Sequence, residues 1–287
     1  MNALLTRVRQ TADAFSPGKD VSIEEGSLLR LAERLKTDYR LVPPSPDRVT
    51  EVELFMDLLL ASVNYCYWLG RAGYTPAGGG PSVLYAMIRE EMPEVSDLTP
   101  TLITQAGSRV LRRVAHSGFP LAERRIAHLR EVIDQPVVTL GFIREIREGT
   151  FEPTGVLELL LTLYPGFTGD PFLKRALLFV HLLHRVRGLF RPEQVAEFPI
   201  PADYQVPKYL AHAQVLLYSG PLADLIARGE LIPAGSRLEL EIRAGSIIAC
   251  DRLAEASGLT TETVDGFLWG SRKLVNAPHH LTITTDY

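Results

Sequence analysis

Between Pro171 and about Gly188 the chain sets Leu177, Leu178, Phe179, Val180, Leu182 and Leu183 nearly all the way round a helical repeat. A helix that is apolar on every side has no face to give to water and must be wrapped by other elements. The remaining segments supply the wrapping. Leu28, Leu29, Leu31 and Leu35 recur at helical spacing after Ser22-Ile23-Glu24-Glu25, which has the form of a capping box. Glu51–Trp68 reads as a buried helix, and helices are expected at Pro81–Glu91, Thr99–His116, Leu121–Ile133 and Gly155–Leu163, with a further helical run from Tyr209 to Ser219. Val42–Pro46, with three prolines, is expected to be extended, and Tyr74–Pro81 to be a loop. Strand signals are few: Leu238–Arg243 and His280–Thr284 alternate with period two. The expected fold is therefore a mainly α, multi-helix globular protein with a small β-ribbon near the C-terminus.

The 287 residues are 46% hydrophobic and 22% charged, enough for a sizeable core and too apolar for disorder. We read residues 1–287 as one functional unit with room for two lobes, 1–195 and 196–287, meeting near Phe198-Pro199-Ile200-Pro201. A net charge of −4 argues against a general polyanion binder, although a local basic pocket could hold one phosphate. Cys66 and Cys250 have neither CxxC spacing nor a histidine cluster beside them, so they read as buried thiols in a reducing compartment and not as a metal site. Met1–Phe15 has no continuous apolar stretch of the signal-peptide kind, and Leu58–Gly70 is too short to span a bilayer. No membrane association is expected, and the expected location is cytoplasmic. Gly78-Gly79-Gly80 lacks the Lys-Ser/Thr of a phosphate loop, and neither HExxH nor GxSxG occurs.

The segment Ala202–Lys208, ADYQVPK, places a carboxylate beside a tyrosine just ahead of a helical run. Asp203 there could cap the helix or present a fixed anion to a ligand. Tyr204 could pack in the core or offer its ring or hydroxyl to a bound molecule. Trp269 lies four residues after Asp265, on one helical face, where it could stack on a flat heterocycle or belong to the core. Arg243 could hold an anion bidentately or pair with Glu239 or Glu241, and Lys208 and Lys174-Arg175 are further cationic candidates. Asp251–Lys273 also has helix-turn-helix form, with Ala254, Gly258 and Val264 where that motif needs small and apolar residues. Its second helix carries Glu262 and Asp265 at the start and cations only at Arg272 and Lys273, so no nucleic-acid partner is expected.

Several segments together resemble the queuosine salvage proteins, a family of queuosine-5′-phosphate N-glycosylases. They are Ala202–Lys208, Leu216–Gly235 (LLYSGPLADLIARGELIPAG), Glu239–Ile247 (ELEIRAGSI), Val264–Gly270 (VDGFLWG) and Ala277–Tyr287 (APHHLTITTDY), and more distantly Val63–Trp68, Leu121–Leu129 and Phe172–Ala176. The chain departs from the family at Ala61 and Gly270, where a carboxylate is usual, and at Pro201, where an aromatic is usual. The resemblance implies hydrolysis of a nucleotide to a 7-deazaguanine base and ribose 5-phosphate, with a small-molecule nucleotide as the partner and no metal or organic cofactor. It implies Asp203 beneath C1′, where its charge would stabilise the oxocarbenium-like transition state. Asp265 would hold the base edge, Tyr204 or Trp269 would stack on the base, and Arg243 or Lys208 would bind phosphate. A non-catalytic nucleotide binder is the alternative, a helix-turn-helix DNA binder a more distant one, and the oligomeric state stays open.

Overall fold

The computed structural model describes residues 2–38, 49–68 and 80–287. The expected extended segment Val42–Pro46, and the loop Tyr74–Pro81 up to residue 79, lie outside them. In chain order the elements are α1 (Ala3–Phe15), β1 (Val21–Ile23), α2 (Glu25–Asp38), α3 (Glu51–Ser62), α4 (Gly80–Glu90), α5 (Pro100–His116), α6 (Ala122–Ile133), α7 (Pro136–Arg147), α8 (Pro153–Leu163) and α9 (Lys174–Arg185). They continue with α10 (Pro192–Val195), α11 (Gln205–His212), β2 (Leu216–Tyr218), α12 (Gly220–Arg228), α13 (Arg237–Ser257) and α14 (Thr261–Ser271). Short 3-10 turns follow α8 and α14, at Pro165–Phe167 and Arg272–Leu274.

The mainly α expectation holds, and the all-round apolar segment is α9, with Leu177, Phe179, Val180 and Leu183 fully enclosed. It packs on α3 and α8, while α3 also meets α4, α6 and α7, and α5 covers α6 and α7. A second set of contacts gathers round the 21-residue α13, which packs against α1, α2, α11 and α14. The chain's first helices thus lie against its last long ones. Among the described residues no helix is long and apolar enough to cross a membrane.

The ribbon is real but stands elsewhere than expected. β1 pairs antiparallel with β2, Val21 opposite Tyr218 and Ile23 opposite Leu216. It can lie close on α13 because Gly245 there has no side chain: a Cβ would come within 3.1 Å of Val21 and 3.3 Å of Leu216. Leu238–Arg243, expected as a strand, is the start of α13. Its alternating polar residues are spaced for helical pairing, Glu239 with Arg243 and Arg237 with Glu241, both four apart. Of His280–Thr284 only Leu281 forms a bridge, to Leu231.

Three boundaries also move. The box expected at Ser22 does not form, because Ser22 lies in β1; α2 starts at Glu25, and the Glu24 carboxylate takes the amides of Gly26 and Ser27. A complete capping box sits instead at Thr50–Glu53. The helix begun at Glu51 ends at Ser62, and the run from Tyr209 ends at His212, where Gln214 turns the chain with φ +58° into β2.

Since Leu177 is fully buried on α9, Leu177→Ala is expected to cost about 2–5 kcal/mol, through lost transfer energy and the cavity left behind. A clear fall in the urea midpoint would show it; an unchanged midpoint would mean that α9 is not the centre of the packing.

Candidate active site

The segment after α3 is built by cations. Four consecutive carbonyls, that of the helix's last residue and the three that follow it, each accept from a charged side chain: Ser62 from Arg175, Val63 and Tyr65 from Arg125, and Asn64 from Lys174. Helix C-termini leave such carbonyls without intrahelical partners and carry partial negative charge, so cations are favourable there. Cys66, at φ +48°, then turns the chain, and its amide donates to the carbonyl of Tyr287 at 2.8 Å. This presents Asn64, Tyr65, Tyr67 and Trp68 along one wall of a cleft of about 500 Å³.

The opposite wall comes from Asp203, Tyr204, Gln205 and Lys208 at the start of α11, and from Trp269, Arg272 and Lys273 at the end of α14. Lys174, the first residue of α9, lies in the cleft with His279 and Tyr287, and Gly80–Ser82 complete the lining. Two surface grooves of comparable size flank α4. The one towards α5 carries Arg109, Arg112 and Arg113, of which Arg109 and Arg113 pair with Glu90 and Glu91.

Asp203 does what a capping residue does and also faces the cleft. Its Oδ1 accepts the amides of Gln205 at 2.7 Å and Val206 at 3.2 Å, while no donor among the described residues bonds Oδ2. The residue is 8% exposed. Tyr204 is buried with its ring tilted over His279, centroids 4.6 Å apart, and burial next to Asp203 pushes its hydroxyl up. Lys174 donates from Nζ to the carbonyl of Asn64 at 2.9 Å and to its Oδ1 at 3.0 Å. Burial pulls its ammonium down to about 8, against the opposing attraction of Asp203. Tyr65 Oη is buried and has no hydrogen-bond partner among the described residues.

Of the six residues singled out from the sequence, Asp203, Tyr204, Lys208 and Trp269 line this cleft together. Arg243 and Asp265 do not. Arg243, 1% exposed, donates to Asp170 at 2.7 Å, Glu239 at 3.2 Å and the carbonyl of Ala202 at 3.1 Å, so its guanidinium is spent inside the protein and not on a phosphate. Asp265 is not on the cleft: it is buried against Arg185 at 2.6 Å, near Glu262 and His181. Within the helix-turn-helix stretch, Gly258 turns the chain at φ +71° and α14 packs inward through Val264, Asp265 and Leu268.

Asn64, Lys174, His279 and Arg272 were not among those six. Their signals were present in the family-like segments Val63–Trp68, Phe172–Ala176 and Ala277–Tyr287, and in the cation following Trp269. Both cysteines are buried and neither forms a disulfide, and no group of His, Cys, Asp and Glu among the described residues is placed to hold a metal.

Among the described residues the cleft is aromatic, of nucleotide size, and lined by one carboxylate and four cations, a lining suited to a small anionic ligand with a flat ring. The sequence model of the queuosine salvage protein family matches residues 54–286, and the chain belongs to that family. It is 27% identical over 261 residues to a Dictyostelium discoideum protein named queuosine 5′-phosphate N-glycosylase/hydrolase, covering 83% of this chain and 79% of the relative. A protein of the same name from Sphaerobacter thermophilus is 29% identical over 260 residues, 80% of each chain. One from Bos taurus is 24% identical over 290 residues, 86% of this chain and 83% of the relative.

Arg243 holds two walls of the cleft at once, through Ala202 beside Asp203 and through Asp170 at the start of α9. Arg243→Met would leave Asp170 and Glu239 buried without their cation, so a loss of about 3–5 kcal/mol is expected in urea unfolding. A loss below about 1 kcal/mol, the scale of an exposed pair, would mean that the guanidinium does not organise this region.

Proposed function

We propose that this protein hydrolyses the N-glycosidic bond of queuosine 5′-phosphate, releasing the 7-deazaguanine base queuine and ribose 5-phosphate. The observation that carries the reading is the Asp203 carboxylate: Oδ1 is fixed by two backbone amides and Oδ2 is available in a cleft lined with aromatic rings. The named activity of the relatives supplies the substrate.

Breaking the bond between C1′ and the base nitrogen leaves the ribose with oxocarbenium-like positive charge. An anion already held in place stabilises that charge more than the neutral ground state and needs no reorganisation. Water adds its oxygen to C1′, one of its protons passes by way of Asp203, and the base leaves with a proton on its nitrogen. A 7-deazapurine has carbon at position 7, so protonation there cannot assist departure. Assistance falls to hydrogen bonds at the other edge, for which Asn64 and Lys174, beside Asp203, are the groups at hand. Tyr204, backed by His279, and Trp269 are the candidate stacking rings. The reaction consumes only water, so the reading calls for no metal or organic cofactor. We place the reaction in the cytoplasm, where the base would be reclaimed.

The test is to incubate the purified protein with queuosine 5′-monophosphate and detect free base by mass spectrometry. Asp203→Asn keeps the shape and an acceptor for the turn but loses the charge, and kcat is expected to fall roughly 10²–10³-fold with the fold intact. An Asn variant as active as the parent would overturn the mechanism, and bound nucleotide without release by the parent would make the protein a binder.

The pH profile follows from Lys174. Its ammonium loses its proton near pH 8, so activity is expected to decline as pH rises through about 8. Lys174→Arg, which keeps its charge, should move that limb to higher pH; a limb unmoved by the substitution would assign it to another group.

A further inference from the structure

We propose a second chemical role for Lys174: once the base has left, its side-chain amine captures the aldehyde of ribose 5-phosphate in the cleft as a reversible imine. The step rests on the nucleotide reading above, since hydrolysis is what leaves a sugar phosphate with C1′ at Asp203.

The chain has five lysines, Lys19, Lys36, Lys174, Lys208 and Lys273. Lys174 is buried, 4% exposed, whereas the other four stand partly or fully in solvent. It is the first residue of α9, where open backbone amides carry partial positive charge and favour an anion over a cation. The chain reaches it through Leu173 at φ +51°, a left-handed conformation that leucine seldom adopts and that clusters at functional sites. The Lys174 amide donates to Asp170 at 2.7 Å, so the side chain starts from a fixed point.

At the other end, Nζ donates to the carbonyl and to Oδ1 of Asn64, at 2.9 and 3.0 Å. These bonds use two of the three hydrogens of an ammonium. Loss of the third leaves an amine whose N–H groups stay on Asn64 and whose lone pair takes the remaining tetrahedral position. Four charged groups bear on that nitrogen. Asp203, ahead of α11, and Asp170, ahead of α9, favour the ammonium, while Arg175 on α9 and Arg243 on α13 disfavour it. Burial outweighs each of them and pulls the group down to about 8. A desolvated lysine that gives up its proton at such a pH is a nucleophile towards carbonyl carbon. Lys174 and Asp203 line the same cleft, and departure of the base vacates the space beside Asn64.

The ester on O5 limits the released sugar to a five-membered ring. That ring opens to the aldehyde when the hydrogen of the C1′ hydroxyl passes to the ring oxygen. Nζ then bonds to C1′, and the former carbonyl oxygen departs as water with both hydrogens from the nitrogen. One imine and one water result, with no change of oxidation state and no co-reactant. Addition of water reverses the step and frees the sugar phosphate. The protein thus holds its own sugar product, most strongly where the neutral amine prevails.

Incubation of the purified protein with ribose 5-phosphate and cyanoborohydride, which reduces an imine to a stable secondary amine, tests the capture by intact mass and peptide mapping. A single adduct is expected on Lys174, heavier than the protein by the sugar phosphate less one oxygen atom. Trapping should be roughly tenfold or more faster at pH 8 than at pH 6, following the fraction of neutral amine. Ribitol 5-phosphate, which has no aldehyde, should suppress it by competition. Lys174→Arg should abolish the adduct and K208R/K273R should keep it. The capture is overturned if no adduct forms, if adducts spread over the solvent lysines in the parent as in Lys174→Arg, or if trapping does not rise from pH 6 to pH 8. Should Lys174→Arg fail to fold, the peptide map of the parent and its pH dependence decide alone. Base release from queuosine 5′-monophosphate is measured separately: an adduct without release would reject hydrolysis and keep the amine chemistry, and release without an adduct would do the reverse.

Discussion

The buried pair of Arg243 and Asp170 is the interaction on which the site depends. Asp170 accepts the amides of Phe172 and Lys174, which start α9, and receives Arg243 at 2.7 Å. Arg243 in turn reaches the carbonyl of Ala202, one residue before Asp203, and lies 4.3 Å from the centre of the Tyr287 ring. One guanidinium on α13 thereby sets the start of α9, the loop carrying Asp203 and the last residue of the chain. Removing a charge from water is expensive, and it is tolerated here because each of the three guanidinium nitrogens donates to a fixed acceptor, two of them carboxylates. The consequence is that Asp203, though on a loop, and Lys174, at the start of α9, are both anchored to the core through this pair.

The same economy of buried cations builds the other wall. A helix end left with open carbonyls is unfavourable in an apolar interior, and α3 ends there. Arg125, Arg175 and Lys174 satisfy those carbonyls, and Arg125 and Arg175 also lie over the face of Tyr65, at 4.4 and 5.4 Å. Only Lys174 of the three is turned into the cleft. Structure and function thus share one set of charges: the groups that close α3 also decide which cation stands beside Asp203.

Much of the fold was legible because it rests on local rules. The all-round apolar run of α9 announced a buried helix, and the helix expected over Thr99–His116 is α5, which Thr99 caps through the Leu102 amide. Where the reading failed, distant residues had intervened. Alternation from Leu238 to Arg243 has the same letters as a strand, but Glu239 and Arg243 are four apart and both meet partners outside their own segment, at Gly235 and Asp170. The ribbon went to Val21–Ile23 and Leu216–Tyr218, three residues each, too short for a period to be read. In the site, Asp203 and Tyr204 were legible from one short segment. Arg243 was mistaken for a ligand-binding group because an arginine's use is decided by whichever acid the fold brings to it, and Asp170 is far away in sequence. Asp265 was misplaced for the same reason, its partner Arg185 lying on another helix.

The central claim is that the cleft between α3, α9, α11 and α14 holds a nucleotide with its glycosidic carbon at Asp203. A crystal structure of the Asp203→Asn protein with queuosine 5′-monophosphate tests it most directly. The expected result is intact nucleotide in this cleft, with C1′ against the side chain at position 203 and the base bordered by Asn64, Lys174 and Tyr204. Nucleotide bound instead in the groove between α4 and α5, on Arg109, Arg112 and Arg113, or seated in the cleft with C1′ turned away from that side chain, would contradict it.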